Sequence, residues 1–337
     1  MTTPYVIGIG NAVMDVISPT DDARLDALGV QKGIMQLIER ERSEYLMAAQ
    51  ADDHGPGRAQ ARLVPGGSVA NTLAGIGAMG LKTAFIGRVA DDALGLSYAE
   101  QTEDGGTVFV NPPVGGDQLP TSRSIIFVTP DGERSMNTYL GISAELGPED
   151  VNPSVFQGAG WLFLEGYLFD KPKGKDAFLK AAKCCHEAGG QAGIALSDPF
   201  CVDRHRADFR KLVAGPMDYV IGNVHEWTSL YQTEDLEAAL AQASADCGTV
   251  ICTRSGDDAI LIRDGARVTV PVKKVVPVDA TGAGDQFAAG LIFGLARGAS
   301  LEAAGRMGCI AAAEVIGHVG PRPQREIRRE FEAQGLI

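Results

Sequence analysis

The chain has 337 residues, 45% of them hydrophobic and 22% charged, which is enough to bury the core of a large α/β domain. Its net charge of −13 disfavours nucleic acid and anionic membranes as partners, and no apolar stretch reaches the length of a membrane span. The six cysteines lack C-x-x-C spacing and the first residues lack a signal-peptide pattern, so we expect reduced thiols in a cytoplasmic protein rather than disulfides or a zinc site.

Strand-like and helix-like segments alternate through much of the chain. Residues 5–9 and 83–89 have strand composition and enclose a helical segment at residues 69–79. Further strands are predicted at residues 161–165, 193–197, 218–222 and 249–253, with helices near residues 176–187, 236–245, 284–296 and 301–315. This alternation predicts an α/β fold with a mostly parallel sheet and helices on both faces.

Two stretches depart from this alternation. Residues 13–17 and 33–37 are short β-like runs, and residues 122–129 and 134–139 flank the hairpin turn Pro-Asp-Gly-Glu. We expect these pieces to form a small sheet that covers one side of the main domain. The chain is therefore predicted to be a single domain over residues 1–337, with the covering segments at about residues 13–40 and 120–140.

The strongest chemical signal is the turn around residue 282. The β-branched residues 275–278 resemble the end of a buried strand, a helix follows, and the turn between them contains two glycines. Backbone N–H groups of such a turn, at the positive end of a helix, can form an anion hole. A phosphate there would repel Asp285, and accepting the proton of an attacking hydroxyl would explain this carboxylate. A plain helix cap accounts for Asp285 but not for Asp279 and Thr281 before it.

The sequence DATGAGDQFAAG, at residues 279–290, resembles the C-terminal signature of the ribokinase-like kinases, the PfkB family of carbohydrate and nucleoside kinases. The resemblance extends from Gly10 to about Gly320, with the motifs in the family's order. It implies a ribokinase-like three-layer α/β/α domain with a mostly parallel sheet, a small β-sheet lid over the substrate, and phosphoryl transfer from ATP with Mg²⁺.

The same resemblance implies roles for the residues of the turn. Asp285 would be the general base, and Thr281 would contact ATP. Asp279, with nearby carbonyl groups, would be the candidate site for the monovalent cation, such as K⁺, that the family often uses. The anion hole would be formed by the turn backbone from Gly282 to Asp285, with the N–H groups of Ala283, Gly284 and Asp285 as donors.

Three further matches concern the phosphoryl acceptor. The family pattern G-N-x-x-x-D is matched by Asn11 and Asp15, and the resemblance implies that Asp15 binds sugar hydroxyls; a carboxylate can accept two such bonds from a vicinal diol. The pattern G-G-x-x-x-N implies glycines that let the backbone approach the sugar and an amide that binds a hydroxyl. Its matching residues are Gly66, Gly67, Ser68 and Asn71. Tyr167 fits the place where the family's adenosine kinases hold an aromatic ring against the purine.

The remaining matches concern the nucleotide. Asn223 and Glu226 match N-x-x-E, which in the family organises Mg²⁺, water and phosphate; Mg²⁺ prefers oxygen ligands and retains several waters. Thr253 and Gly256 form a displaced version of a T-x-G-x-x-G segment that lines ATP. Arg134 follows the hairpin turn, where adenosine kinases direct an arginine toward the ATP phosphates.

Taken with the Gly-Gly-Ser-x-x-Asn form of the second motif, the resemblance favours an adenosine kinase that phosphorylates the 5′-OH to give AMP. A sugar kinase acting on ribose, fructose or a 2-keto-3-deoxy sugar acid is the alternative, followed by a non-catalytic sugar or nucleotide sensor. A dehydrogenase is a weaker alternative, because Gly8-x-Gly10 lacks the third glycine of a dinucleotide fingerprint. The expected partners are ATP and a small-molecule acceptor, and the chain is expected to be a monomer or a homodimer.

Overall fold

A computed structural model of the chain describes residues 5–51, 61–116 and 119–337. These residues form two sheets, of nine and five strands. In lateral order, the larger sheet consists of β14 (Ala266–Val270), β13 (Asp257–Arg263), β12 (Thr249–Arg254), β11 (Tyr219–Asn223), β10 (Gln191–Ala195), β9 (Ala159–Glu165), β1 (Tyr5–Ile9), β5 (Lys82–Ile86) and β6 (Thr107–Phe109). The smaller sheet consists of β3 (Met35–Leu37), β8 (Arg134–Tyr139), β7 (Ser122–Val128), β2 (Val13–Pro19) and β4 (Arg62–Gly66).

Helices fill most of the connections between these strands. They are α1 (Asp22–Leu28), α2 (Arg40–Ala51), α3 (Ser68–Ala78), α4 (Ala93–Asp104), α5 (Pro172–Glu187), α6 (Pro199–Ala214), α7 (Val224–Tyr231), α8 (Leu236–Asp246), α9 (Ala283–Ala296), α10 (Leu301–Val315) and α11 (Ile327–Ala333). Within the described part of the chain, none of the helices is long and apolar enough to cross a bilayer.

The larger sheet is parallel from β6 to β12, and β13 and β14 continue it in antiparallel pairs. Strand β1, third from the β6 edge of this sheet, shows why helices lie on both faces: Ile7 and Ile9 point to one core, and Val6 points to the other. Phe178 of α5 packs in the first core and Leu291 of α9 in the second. Strands buried on both faces read as continuous apolar runs. The predicted three-layer α/β/α architecture with a mostly parallel sheet is confirmed.

The smaller sheet begins where β1 ends. Only residues 10–12 separate β1 from β2, so the smaller sheet starts at the carboxyl edge of the larger one. A separate apolar cluster stabilises it, in which Leu25 and Leu46 from the two N-terminal helices pack on Ile125 and Phe127 of β7. A strand therefore stands where a dinucleotide-binding fold needs a helix, which removes the structural basis of the dehydrogenase alternative. That this sheet acts as a lid stays a prediction.

The strand predicted at residues 275–278 is wrong. The last strand before α9 is β14, which ends at Val270, and Val276 and Val278 are 86% and 62% exposed. Valine favours a strand because its branched side chain packs on a half-buried pleated surface, and here the chain runs along the outside of the domain. The N–H group of Val278 instead donates to the carbonyl of Ile316, 2.7 Å away, which attaches this segment to the end of α10.

Candidate active site

A cavity of about 820 Å³ lies between the carboxyl edge of the larger sheet and the smaller sheet. The ends of β9, β10 and β11 reach it from one side, and side chains of β2, β3, β7 and β8 from the other. Open parallel sheets bind their ligands outside the carboxyl ends of the strands. Most of the predicted site residues line this cavity: Asn11, Asp15, Gly67, Ser68, Asn71, Tyr167, Asn223, Glu226, Thr253, Thr281, Gly282, Ala283, Gly284 and Asp285.

The turn before α9 has the geometry of an anion hole. Gly282 precedes the helix with φ of 81°, and a Cβ at this position would lie 2.6 Å from the Cα of Pro321, so only glycine fits. Ala283 donates its N–H to the carbonyl of Ala280, whereas the N–H groups of Gly284 and Asp285 have no acceptor among the described residues. Free N–H groups at the positive end of a helix, facing a cavity, are suited to bind an anion.

The carboxylate of Asp285 is held by the first turn of α3. Ser68 donates its hydroxyl to Oδ1 at 2.6 Å, and Asn71 donates its amide to Oδ2 at 3.1 Å. Thr72 bonds the backbone carbonyl of Asp285 at 3.2 Å. Burial raises the pKa of Asp285, and the hydrogen bonds from Ser68 and Asn71 offset only part of that increase. The result is an oriented carboxylate that is a better proton acceptor than an exposed one.

Asp15 lies on β2 and lines the same cavity as Asp285. Gly66 leaves room for it, because a Cβ there would lie 2.7 Å from the Asp15 carboxyl group, although Gly66 itself does not line the cavity. Burial raises the pKa of Asp15 to about 7, against the opposing charges of Arg134 and Arg322. Among the described residues, no donor forms a hydrogen bond with this carboxyl group, and hydroxyl groups of a ligand would supply such bonds.

Asn223 and Glu226 form a reciprocal cap at the start of α7. The two oxygens of Glu226 accept bonds from the backbone and side-chain nitrogens of Asn223, at 2.8 and 2.7 Å, and Asn223 Oδ1 accepts the N–H of Glu226. Burial raises the pKa of Glu226 to about 7. A nearby cation would favour its ionised form. Its carboxylate is an oxygen ligand with lone pairs to spare, so it fits Mg²⁺ bound directly or through water.

Two of the residues predicted to bind the nucleotide do not line the cavity. Gly256 is in the exposed turn between β12 and β13. Arg134 is the first residue of β8, and its Nη1 lies 3.0 Å from Oδ2 of Asp279. Asp279 also accepts the N–H groups of Thr281 and Gly320, both at 2.9 Å. Burial alone would raise the pKa of Asp279, but these hydrogen bonds and the charge of Arg134 bring it below its usual value.

Sequence reasoning missed Glu165, the last residue of β9. Its side chain is 1% exposed, and Oε1 accepts the backbone N–H of Asn11 at 2.6 Å and its side-chain amide at 3.0 Å. Burial raises the pKa of Glu165 to about 7. It holds the turn between β1 and β2 and also lines the cavity. Its position could have indicated a role, because Glu165 is a carboxylate at the end of an apolar strand, and the carboxyl ends of parallel strands meet at the edge of the sheet where ligands bind.

Arg322 and Phe200 were also missed. Arg322 follows α10, donates to the carbonyl of Pro65 and, at 3.4 Å, to Oδ1 of Asn71, so it orients the amide that bonds Asp285. No local pattern marks it. Phe200 lies in the first turn of α6, lines the cavity and is 71% exposed. The sequence pattern that could have indicated Phe200 is an aromatic residue directly after Asp-Pro, which begins a helix, just beyond the end of a predicted strand.

Comparison with known proteins gives consistent matches. The family model for pfkB family carbohydrate kinases matches residues 36–328. The crystal structure of a probable sugar kinase from Rhizobium etli CFN 42 is 41% identical, with a TM-score of 0.88 and full coverage of both chains. That of adenosine kinase from Sinorhizobium meliloti is 40% identical, with a TM-score of 0.87, and the match covers 99% of this chain and 100% of that one. Aminoimidazole riboside kinase from Salmonella typhimurium is 30% identical over 250 residues, covering 69% of this chain and 74% of the relative.

Proposed function

The chain belongs to the pfkB family of carbohydrate kinases and is therefore an ATP-dependent phosphotransferase for a sugar or a nucleoside, and we propose that its acceptor is adenosine. The proposed reaction moves the γ-phosphoryl group of ATP to the 5′-OH and yields AMP. The similarity to the Sinorhizobium adenosine kinase supports this assignment over nearly the whole chain.

The observation that carries the proposal is the exposed ring of Phe200 on the cavity wall. A phenylalanine side chain that is 71% exposed loses apolar burial unless something covers it. Tyr167 lines the same cavity, and its hydroxyl is held by the carbonyl of Ser197 at 3.2 Å, which leaves the ring available. Met35 and Leu37 of β3 add apolar surface. A purine has an aromatic face that can stack on such a wall, whereas a free sugar has no aromatic ring.

In the proposed mechanism, Asp15 and Asn71 hold the diol of the acceptor and its primary hydroxyl faces Asp285. Asp285 takes the hydroxyl proton as the oxygen attacks the γ-phosphorus, and the bond from this phosphorus to the β,γ-bridging oxygen breaks, so that ADP leaves. The free N–H groups of Gly284 and Asp285 stabilise the negative charge that develops on the transferred group. Mg²⁺ held by Glu226 would neutralise phosphate charge when bound. Thr253 and Thr281 complete the cavity on the nucleotide side.

A sugar kinase is the second candidate. The carboxylate of Asp15 and the amide of Asn71 would bind the vicinal diol of ribose or fructose as well as that of a nucleoside. The Rhizobium structure described as a probable sugar kinase is as similar to this chain as the adenosine kinase is. A sensor without catalysis fits less well, because a binding protein has no use for the oriented base at Asp285.

We expect Phe200→Ala to raise the KM for adenosine by about 5- to 150-fold, since stacking of a base on an aromatic ring is worth about 1–3 kcal/mol. The KM for ATP should stay near its wild-type value. The measurement is steady-state phosphorylation of adenosine, inosine, ribose, fructose and a 2-keto-3-deoxy sugar acid by both proteins. Wild type should prefer adenosine.

Two variants serve as controls for this test. Phe200→Tyr keeps the ring and should keep the adenosine KM, and Leu179→Ala removes another exposed apolar side chain that does not line the cavity. Preference of the wild type for a sugar would replace adenosine with that sugar as acceptor. An adenosine KM that is equal in Phe200→Ala and wild type would remove the stacking role.

Ser68→Ala should move the acidic limb of the pH profile of kcat/KM to higher pH. The base must be ionised to act, so activity falls as pH drops below the pKa of Asp285. The Ser68 hydroxyl bonds the ionised carboxylate and lowers that pKa, so its removal raises the pKa further. Thr72→Val is the matched control, because Thr72 bonds backbone carbonyl groups and leaves the carboxylate unchanged. An acidic limb that coincides in Ser68→Ala and wild type would contradict the role of this hydrogen bond.

A further inference from the structure

Both oxygens of the Asp279 carboxylate accept hydrogen bonds, and one of them also pairs with a guanidinium. The N–H of Thr281 bonds Oδ1, and the N–H of Gly320 and the guanidinium of Arg134 bond Oδ2. The Arg134 and Asp279 side chains are only 9% and 10% exposed, so solvent screens this pair weakly. The protein therefore supplies its own positive charge to the carboxylate that precedes the turn before α9.

This environment does not fit a monovalent cation at Asp279. K⁺ would need several oxygen ligands in place of its hydration shell, but the two backbone groups at the carboxylate present N–H hydrogens. A cation bound there would also lie beside the charge of Arg134, and two like charges around one buried carboxylate repel each other. The expectation of a K⁺ site at this residue therefore conflicts with the geometry.

We infer that Arg134 is the internal counter-ion of the turn that forms the anion hole, and that phosphoryl transfer by this protein requires no monovalent cation at Asp279. Asp279 holds the backbone of Thr281 at the start of the turn and that of Gly320 in the loop that contacts it. Because both bonds are stronger to an ionised carboxylate, the charge of Arg134 stabilises the turn in its anion-binding conformation. Arg134 is thus a positioning residue, whichever acceptor is phosphorylated.

The position of Arg134 also connects the two sheets. It begins β8 of the smaller sheet, whereas Asp279 lies just before the turn at the edge of the larger one. Among the described residues, Nε and Nη2 of Arg134 are buried and donate to no atom, so Asp279 is the residue that fixes this guanidinium. Removal of the arginine would leave a buried carboxylate without its counter-ion, which is more damaging than loss of a surface ion pair.

The test compares initial rates in KCl and in tetramethylammonium chloride at equal ionic strength and saturating Mg²⁺, with the best acceptor of the panel. We expect the wild type to give kcat/KM values within about twofold in the two salts. The kcat/KM of Arg134→Ala should be at least about tenfold lower than that of the wild type. Millimolar guanidinium should restore part of this loss, because the free ion can occupy the vacated position. Rescue by guanidinium is not expected of a side chain with a merely structural role.

The matched control is Arg88→Ala. Arg88 forms an ion pair with Asp150 at the same 3.0 Å distance and with similar burial, 17% and 11% exposed. Like Arg134 it does not line the cavity, but its partner Asp150 belongs to the turn Pro148–Asp150 and not to the turn before α9. It should show neither the specific rate loss nor guanidinium rescue. Melting temperatures of the wild type and of Asp279→Asn in both salts provide a readout that does not depend on activity.

Activation of the wild type by K⁺ of fivefold or more would overturn the inference, as would a K⁺-dependent rise in melting temperature that Asp279→Asn abolishes. If Arg134→Ala fails to fold, the comparison of salts on the wild type alone decides. Absence of turnover with every acceptor would count against the proposed kinase activity, whereas the melting-temperature comparison would still test the counter-ion.

Discussion

Asp285→Asn should lower kcat by about two to four orders of magnitude, the contribution expected of a positioned general base, while the KM values for ATP and acceptor change only a few-fold. Asparagine keeps the shape of the side chain and can still accept the hydroxyl of Ser68. It has no charge with which to take the proton of the attacking hydroxyl. The effect therefore falls on the chemical step rather than on binding.

The measurement is kcat and KM for both substrates, with binding of ATP determined separately by calorimetry. Asp235→Asn is the matched control, because Asp235 caps the start of α8 and does not line the cavity. Asn is as good a cap as Asp, so this variant should be indistinguishable from wild type. A kcat of Asp285→Asn close to the wild-type value would remove Asp285 from the base role.

Gly282→Ala should lower kcat by about 10²- to 10³-fold, similar to the loss of a donor from an oxyanion hole, and should also destabilise the protein. The residue has φ of 81°, a conformation that costs an L-residue with a side chain roughly 1–2 kcal/mol. The added Cβ would also meet backbone atoms of Pro321 at 2.6 Å. The turn must shift to relieve this contact, and its N–H groups then no longer point to the site of the phosphate.

Gly298→Ala separates these two causes. Gly298 follows α9 with a similar φ of 78°, but a Cβ there would have no atom within 4 Å. It should lose stability by the conformational term alone and keep its kcat. The measurements are urea unfolding and steady-state kinetics of the two variants. Equal kcat values for Gly282→Ala and Gly298→Ala would mean that the geometry of the turn is not needed for catalysis.

Much of the fold could be predicted because its signals are local. The strands at residues 5–9, 161–165 and 249–253 are apolar runs bounded by turn residues, and the structure has strands at all three places. The exception is residues 275–278, where β-branched composition has no neighbouring strand to pair with. Composition describes what a segment favours, but whether a sheet edge is available depends on distant parts of the chain.

The candidate site divides in the same way. Asp15, Asn71 and Asp285 could be selected from their motifs, because each stands next to glycines or a helix start whose chemistry is read over a few residues. All three line one cavity. Glu165 and Phe200 lay beside recognised segments without a motif of their own, and Arg322 had no local signal at all.

The sequence by itself determined the fold class, the family and the chemistry of the turn before α9, because periodicity, turn residues and a long motif are encoded by neighbouring residues. Only the tertiary structure decided which groups meet: Ser68 and Asp285 are 217 residues apart, and Arg134 and Asp279 are 145 apart. These pairs depend on how two sheets and the starts of two helices pack together. The residues next to a charged side chain in the sequence do not indicate its partner. Arg134 was therefore predicted to contact the ATP phosphates, but in the structure it pairs with the carboxylate of Asp279.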